Sequence, residues 1–390
     1  MLKKCKLFRA RDLVSLMGPC FLLCRFYGFF PYKIKSNNRE IAYSKWRFIY
    51  SFTAILTYIL LTTYISIRSF DTADKLKYYS VPRLIQVNLY LLLTTLICIL
   101  SLFYMKTKLK LLQQLNAISW TFTEKNFIRM SRVVHGKDIF GIFILSVQAS
   151  NIYSLNNINT AHKCLLMYSI ITVYALDMLY VNCVYVLRVG FKNINENLHG
   201  LRRYVITDKP HLLPRVNHQC HNPIILLELK ALEERHHTLS EAVRQLNNGF
   251  GFHVGTTLVL TFTELIFSVY FVILRQVGNV ESHVKKNVWL GYSVMCIFYY
   301  SVKLFAIVWT CEATKNEALR TGNLIHEMLI DTADFDVKYE LQTFSLQLLH
   351  SNNTFDAKGT VIDARLLKGI FGGVATHLFI LIQFLLSSKK

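Results

Sequence analysis

The residues with the clearest functional pattern lie near the C-terminus, on one side of a predicted helix. A glutamine inside an apolar run of membrane length is costly unless it faces protein or water. The stripe that holds this glutamine therefore predicts either the lining of a pore or a helix–helix packing surface, and periodicity alone leaves both open. At helical spacing the stripe is small and polar apart from one isoleucine, and it comprises Gly369, Gly373, Thr376, Ile380, Gln383 and Ser387.

A second set of polar and aromatic side chains falls within or at the ends of apolar runs. Together they predict an aromatic-walled pocket with acceptors for hydroxyl or ammonium groups, although mutual hydrogen bonding is the alternative role for each of them. Lys303 is expected to pair with an acidic group or to extend its ammonium group toward the interface. The candidate ligand-binding residues are Gln148, Asn151, Asp177, Glu264, Trp289 and Tyr292.

Patterns that would indicate catalysis or a cofactor are not found in the sequence. It has no glycine-rich phosphate loop, no nucleophile elbow and no paired carboxylates on a substrate face. His211, His218, Cys220 and His221 match no zinc-binding spacing. We therefore predict a protein that is not an enzyme and that needs neither a cofactor nor a metal.

The composition indicates a membrane protein. Of the 390 residues, 53% are hydrophobic and only 17% are charged, with a mean hydropathy of +0.32, whereas soluble domains carry roughly 25% charged residues. The net charge of +20 would also suit nucleic acid. Because the basic residues are spread among long apolar runs, a lipid bilayer explains the charge more simply, and no nucleic-acid partner is expected.

The apolar runs predict an all-α membrane protein with seven transmembrane helices. Each run is close to the roughly 20 residues that cross a bilayer. The third run is the shortest and most polar, since it carries Gln148, Ser150 and Asn151. The predicted spans are Phe48–Ile67, Leu84–Met105, Ile139–Leu155, Leu165–Leu187, Phe252–Leu274, Val288–Thr310 and Leu366–Leu386.

The distribution of basic residues predicts the orientation. Eleven Lys and Arg residues precede Phe48, and about 30 of the 44 fall in segments on that same side of the membrane. This places the N-terminus in the cytoplasm and the C-terminus outside the cell. The sequon at Asn352 then lies on the cytoplasmic side, where glycosylation does not occur.

The segments outside the spans carry further helical patterns. We expect a short interfacial helix near Leu13–Phe30, a long amphipathic helix over 226–246 that continues into the fifth span, and two helices at Asn316–Ile330 and Val337–Leu349. The predicted organisation is a cytoplasmic N-terminal segment at 1–47, spans one to six with their ligand pocket and loops at 48–310, a cytoplasmic helical anchor at 311–362, and a pore-lining helix with a short tail at 363–390.

The C-terminal residues resemble the signature of insect gustatory receptors. That signature is Thr-Tyr, five apolar residues and Gln-Phe, and this chain has Thr376-His377 and Gln383-Phe384 at the corresponding positions, with His in place of Tyr. Segments 321–326, 344–350 and 363–367 are similar to the run that precedes the signature in the family. Gly28-Phe29-Phe30-Pro31 resembles a short N-terminal stretch of many members.

The resemblance implies a taste receptor in the plasma membrane of chemosensory neurons. Family members are ligand-gated cation channels of seven spans, assembled as homotetramers or heterotetramers, in which the seventh helices line the pore and a small-molecule tastant binds among the outer halves of spans one to six. By position in the motif, Gln383 and Phe384 would form the gate, with Ile380 and Thr376 along the pore. The tastant stays open among sugars, bitter compounds and amines; we favour a bitter compound because nothing marks a sugar-receptor subfamily.

Other membrane proteins with seven spans are the alternatives. A G-protein-coupled receptor would have its N-terminus outside and would carry Asp-Arg-Tyr and Asn-Pro-x-x-Tyr motifs, which this chain lacks. A transporter would show internal repeats or broken helices at the bilayer midplane. A structural scaffold would not need a polar stripe on its last helix.

Overall fold

A computed structural model describes residues 8–34, 40–73, 80–153, 160–207, 223–277, 286–332 and 334–387. These residues form an all-helical bundle with one small sheet. The strands β1 (Tyr32–Ile34) and β2 (Ile41–Tyr43) pair antiparallel, with Lys33 opposite Ala42. The helices are α1 (Leu13–Leu16), α2 (Gly18–Phe26), α3 (Lys45–Ala73), α4 (Ser80–Phe103), α5 (Met105–Ser119), α6 (Glu124–Tyr153), α7 (Thr160–Thr207), α8 (Pro223–Val277), α9 (Lys286–Asp331), α10 (Phe335–His350) and α11 (Ala364–Ser387).

Three long helices, α7, α8 and α9, form the centre of the bundle. They contain 48, 55 and 46 residues, and at 1.5 Å per residue α8 alone is about 80 Å long. A hydrocarbon core is only about 30 Å thick, so each of these helices extends well beyond the length that crosses a bilayer. The predicted amphipathic helix at 226–246 is the first half of α8, as expected from its continuous apolar face.

The positions of proline explain why the helices are uninterrupted. Proline removes a backbone donor and breaks a helix interior, but it is tolerated in the first turn. In the described residues, Pro19, Pro82 and Pro223 lie in the first turns of α2, α4 and α8, and Pro31 lies just before β1. No proline interrupts a described helix, so the backbone donors inside each span remain paired, as lipid requires.

Six helices of the described residues are long and apolar enough to cross a membrane: α3, α4, α7, α8, α9 and α11. The predicted third span lies in α6, which is less apolar than these six. α6 nevertheless packs into the bundle against α7, because Gly141 leaves room for the ring of Tyr174. The predicted all-α fold with seven membrane helices is confirmed, and α6 is the seventh beside these six. α6 belongs to the bundle through close packing rather than through hydropathy.

Three local expectations differ from the structure. Residues 316–330 are not a separate helix but the last part of α9, which runs through positions 310 and 311 without a break. The helix expected near Leu13–Phe30 is two helices, because Pro19 starts a new helix after Met17. The β-hairpin was not predicted; Tyr32 anchors it with a 2.6 Å hydrogen bond from its hydroxyl to the carbonyl of Met105.

A second, smaller turn connects α10 to the last helix. Residues 355–362, which we call the docking hairpin, are closed by hydrogen bonds from Ala357 N to Thr360 O and from Ile362 N to Phe355 O, both 2.9 Å. Gly359 at the turn has φ +114°, in the left-handed region that favours glycine.

The docking hairpin lies against one face of α8. Asn247 holds the start of the hairpin, donating from Nδ2 to Thr354 O at 2.8 Å and accepting from Asp356 N at 3.2 Å. One and two turns further along α8, Gly251 and Gly255 leave room for the backbone of the hairpin. A Cβ at Gly251 would be 3.1 Å from Asp356 O, and one at Gly255 would be 3.2 Å from Ala357 O. This contact fixes where α11 begins.

We expect Gly251→Val to displace the docking hairpin, because the added atoms would meet backbone that cannot move aside without breaking the Asn247 contacts. Overpacking of this kind costs about 1–3 kcal/mol. The thermal unfolding midpoint of the purified chain in detergent measures the effect. The control is Gly200→Val on α7, where a Cβ meets nothing within 4 Å. Equal midpoints for the two variants would contradict this role for Gly251.

Candidate functional site

A cavity opens among α4, α6, α7, α8 and α9, on the side of the bundle opposite the β-hairpin. It encloses about 380 Å³ of space free of protein atoms, part of it open to solvent. Only about 30 Å³ of it can hold the centre of a water molecule, so the enclosed part of the cavity is small. Its lining residues include four apolar side chains, which we call the apolar wall, together with polar and aromatic ones: Arg83, Gln86, Val87, Tyr90, Gln148, Ile152, Leu166, Ile170, Glu264, Tyr292 and Tyr300.

Three of the six predicted ligand-binding residues meet in this cavity: Gln148 from α6, Glu264 from α8 and Tyr292 from α9. They are far apart in the sequence, and the packing of α6, α8 and α9 brings them together. Gln148 is 3% exposed, and its Nε2 lies 2.9 Å from the sulfur of Cys296. Its Oε1 is buried without a hydrogen-bond partner. Such an acceptor is normally satisfied in a folded protein, so Oε1 is a ready position for a donor from a ligand.

Arg83 and Gln86 are functional candidates that the sequence analysis missed. Gln86 accepts a 2.8 Å hydrogen bond from Arg83 Nη1 and donates one of 2.8 Å to Glu264 Oε2. The amide of Gln86 thus joins a guanidinium to a carboxylate. The guanidinium also lies over the rings of Phe271 and Tyr292, at 5.8 and 5.6 Å from their centroids. Arg83 and Gln86 lie three residues apart in the first turns of an otherwise apolar span, and this spacing was the feature of the sequence that could have identified them.

Asp177 does not line the cavity but lies in a buried ion cluster below it. Its carboxylate is 0% exposed; Oδ2 is 3.1 Å from Lys303 Nζ, and Oδ1 is 3.0 Å from His253 Nε2. Thr257 Oγ1 also donates to Oδ1 at 3.0 Å. The cluster joins α7, α8 and α9. The expectation that Lys303 pairs with an acidic group is confirmed, since a buried carboxylate needs a counter-charge and several donors.

Aromatic side chains connect the cavity to this ion cluster. Tyr300 lines the cavity, and its ring centroid is 5.0 Å from that of Tyr299. Lys303 Nζ lies 5.3 Å from the centroid of Tyr300 and 5.8 Å from that of Tyr299. A movement of Tyr300 would therefore change the contacts of the Lys303 ammonium group, which neutralises Asp177.

The last helix, α11, is the least covered of the apolar helices. Only 11% of its apolar window is buried, against 72% for α7. Thr376 and Gln383 are exposed, and Ile380 is 45% exposed. The predicted stripe thus faces away from the rest of the bundle, with Gly373 as its exception.

Gly373 and His377 make the contact between α11 and α8. A Cβ at Gly373 would lie 3.1 Å from the ring of Phe262. The ring of His377 meets Phe262 edge-on, with centroids 5.6 Å apart, and its Nδ1 donates to Gly373 O at 2.8 Å. The histidine that replaces the signature tyrosine thus keeps an aromatic contact.

Some predicted positions lie outside the described side chains. These are Asn151, Trp289 and Phe384. The segment that holds His211, His218, Cys220 and His221 is likewise outside the described residues. Within the described part of the chain, no group of three or more His, Cys, Asp or Glu side chains is arranged to hold a metal ion.

Part of this chain is similar in sequence to curated gustatory receptors. Putative gustatory receptor 28b of Drosophila melanogaster is 30% identical over 160 residues, which is 40% of this chain and 34% of the relative. The Gustatory receptor for bitter taste 66a of the same species is 27% identical over 168 residues, covering 42% and 31%. The matched region thus spans about a third of each curated relative.

The fold matches a solved receptor structure over nearly its full length. The insect olfactory receptor OR5 from Machilis hrabei, in complex with eugenol, aligns with a TM-score of 0.68 over 95% of this chain and 98% of that one, at 12% identity. The family model described as 7tm Chemosensory receptor matches residues 17–388. With that match over nearly the whole sequence, this chain belongs to the 7tm chemosensory receptor family.

Proposed function

We propose that this chain is a subunit of a tastant-gated cation channel, with its N-terminus in the cytoplasm, in the plasma membrane of chemosensory neurons. The curated relatives are gustatory receptors, and one of them is named for bitter taste, which agrees with our preference for a bitter ligand. Family and fold both favour this function over a G-protein-coupled receptor or a transporter. The observation that carries the proposal is the pairing of an outer cavity with a polar, poorly covered last helix.

In this proposal, the cavity binds the small-molecule tastant. With the N-terminus inside, the ends of α4, α6, α7 and α9 that surround the cavity face the outside of the cell. Buried polar groups such as Gln148 and Glu264 fix the orientation of a ligand, and the apolar wall supplies contact area. OR5, which shares the fold, is described in complex with a small molecule, eugenol.

The exposed stripe of α11 would line a pore shared by four copies of the helix, in a homotetramer or a heterotetramer with related receptors. A helix that buries so little of its apolar window within its own subunit needs further contacts, and its polar side chains need water or protein. Copies of α11 placed around a common axis satisfy both needs. Thr376 and Ile380 would face the conduit, and Gln383 and Phe384 would form its constriction.

The aromatic and ionic contacts supply a route from ligand to pore. A ligand that moves Tyr300 would shift Lys303 and, through Asp177, the α8 residues His253 and Thr257. α8 then contacts α11 through Phe262 and His377. Tilting α8 against α11 would widen the constriction, and widening and wetting a short apolar segment restores ion passage.

The test of this function is the ligand-evoked current of cells that express the chain, with Gln383→Ala compared to wild type. We expect the substitution to change the ion selectivity or the size of the current, because it removes a polar side chain from the narrowest part of the pore. The matched control is Gln347→Ala on α10, which lies outside the spans and donates to Glu233 O at 3.3 Å.

Current measured with G-protein signalling blocked distinguishes a channel from a coupled receptor. Persistence of the current under the block supports the channel. Unchanged current and selectivity in Gln383→Ala, with equal surface expression, would contradict the assignment of α11 as the pore helix.

A further inference from the structure

The chemistry of the cavity also restricts the kind of molecule that fits it, an inference that rests on the proposed function. Among the described side chains that line the cavity, the buried atom without a partner is an acceptor. It is Oε1 of Gln148, whose Nε2 donates to the sulfur of Cys296. Glu264 is 7% exposed and uses Oε2 to accept from Gln86, while a carboxylate has capacity for further donors. A ligand that donates a hydrogen bond would therefore satisfy Oε1 of Gln148, which the protein leaves unpaired.

Two donors of the cavity are already engaged. Arg83 Nη1 donates to Gln86 Oε1 at 2.8 Å, and the guanidinium lies over the rings of Phe271 and Tyr292. Gln86 in turn uses one of its amide hydrogens on Glu264. A ligand that offers only acceptors could meet other N–H groups of Arg83, but it would leave Gln148 Oε1 without a donor, and a buried acceptor without a partner is costly.

The charges of the cavity balance without a ligand. Arg83 and Glu264 carry opposite charges and are joined through one amide group. An ammonium ligand would pair with Glu264 but leave the positive charge of Arg83 uncompensated. A carboxylate ligand would pair with Arg83 but leave the negative charge of Glu264 uncompensated. Either would leave one net charge in a largely buried site, where an unmatched charge is expensive. An uncharged ligand keeps the balance.

The apolar lining and the size of the cavity restrict the part of the ligand that does not form hydrogen bonds. Val87, Ile152, Leu166 and Ile170 are its apolar lining residues, and the empty space of about 380 Å³ includes open solvent, so the enclosed part is small. A molecule covered with hydroxyl groups would bury several of them against this wall without partners. The wall suits a compact hydrocarbon chain or ring.

We propose that the cavity selects a compact, uncharged alcohol or phenol, whose O–H donates to Glu264 and Gln148 while its apolar body lies on the wall of Val87, Ile152, Leu166 and Ile170. The O–H bond to a carboxylate is charge-assisted and about twice as strong as one between neutral groups. No charged group of the ligand has to leave water.

The test is a set of four probes with the same six-carbon body: 1-hexanol, hexylamine, hexanoate and hexyl methyl ether. Binding to the purified full-length chain is measured by titration, with wild type compared to Glu264→Gln. Glu196→Gln is the control, since Glu196 forms an exposed pair with Lys192 far from the cavity. We expect 1-hexanol to bind at least about tenfold more tightly than the other three, and Glu264→Gln to weaken that binding about tenfold.

A second variant covers the case in which Glu264→Gln does not fold. Gln148→Met keeps the side-chain length and removes the acceptor, so it should also weaken 1-hexanol and leave the ether unchanged. Tighter binding of hexylamine or hexanoate than of 1-hexanol, with that binding reduced by either variant, would overturn the assigned ligand class. Binding of 1-hexanol that neither variant changes would overturn it as well.

Current recordings separate this inference from the proposed function. If 1-hexanol binds in a manner that depends on Glu264 but evokes no current, the ligand class stands and the channel function fails. If charged compounds evoke the current and alcohols neither bind nor evoke it, the channel stands and the ligand class fails.

Discussion

Lys303→Met should be among the most destabilising single substitutions in this chain. Lys303 Nζ lies 3.1 Å from Asp177 Oδ2, and both side chains are buried, at 1% and 0% exposure. Methionine fills a similar volume but leaves the carboxylate of Asp177 with His253 and Thr257 as its partners among the described residues. Removing one partner of a buried ion pair costs about 3–5 kcal/mol. We expect a marked fall in the thermal unfolding midpoint in detergent and in the amount of protein at the cell surface.

A double substitution distinguishes the charge from the packing. Asp177→Asn combined with Lys303→Met removes both charges and should recover most of the midpoint, because replacing a whole buried pair is often close to neutral. The exposed pair of Lys192 and Glu196, 3.8 Å apart, provides the control. Lys192→Met should cost less than about 1 kcal/mol. If Lys303→Met shifts the midpoint no more than Lys192→Met does, the buried cluster does not hold the three central helices together.

Gly141→Ala on α6 should be strongly destabilising even though alanine is the better helix former. A Cβ at this position would overlap the hydroxyl and ring of Tyr174 on α7, whose side chain is only 4% exposed. Tyr174 must leave its place, or the two helices must separate. We expect a loss of about 1–3 kcal/mol, as for other overpacked cores. The thermal midpoint and the surface expression of the full chain measure it.

The same substitution on the same helix gives the control. Gly136 lies five residues earlier on α6, and a Cβ there meets nothing within 4 Å. Gly136→Ala should leave the midpoint unchanged or raise it, since glycine in a helix interior is about 0.8–1.0 kcal/mol less favourable than alanine. Adding Tyr174→Leu to Gly141→Ala should restore part of the loss. A Gly141→Ala midpoint equal to that of Gly136→Ala would show that α6 and α7 do not pack as closely as described.

The apolar periods that predicted the spans are properties of single segments, and they locate most of the spans well. Residues 48–67, 165–187 and 366–386 all fall inside observed helices. α6 was the difficult case, because its place in the bundle depends on a glycine that fits a tyrosine of another helix, which hydropathy does not measure. The continuous α9 was missed for a similar reason: its change from apolar to charged residues suggested a boundary where the backbone has none.

The candidate site was only partly predictable. Gln148, Glu264 and Tyr292 are conspicuous because each is polar within an apolar run. Arg83 and Gln86 were passed over because they lie at the end of a span, where polar residues are ordinary. The role of Asp177 depended on partners 76 and 80 residues away on α8. Which polar residues face a cavity and which face one another is decided by how helices rotate in the bundle, and a single segment carries no record of that rotation.

The docking hairpin has a consequence for the order in which the chain is made. Its seat on α8 is synthesised first, since Asn247 precedes its partner Thr354 by 107 residues. By the time residues 355–362 leave the ribosome, the α8 residues Asn247, Gly251 and Gly255 have already been synthesised. Among the described helices, α11 is therefore made after the seat that fixes its starting point. The helices α1 to α10 of a newly made chain can thus pack together before α11 is placed against α8.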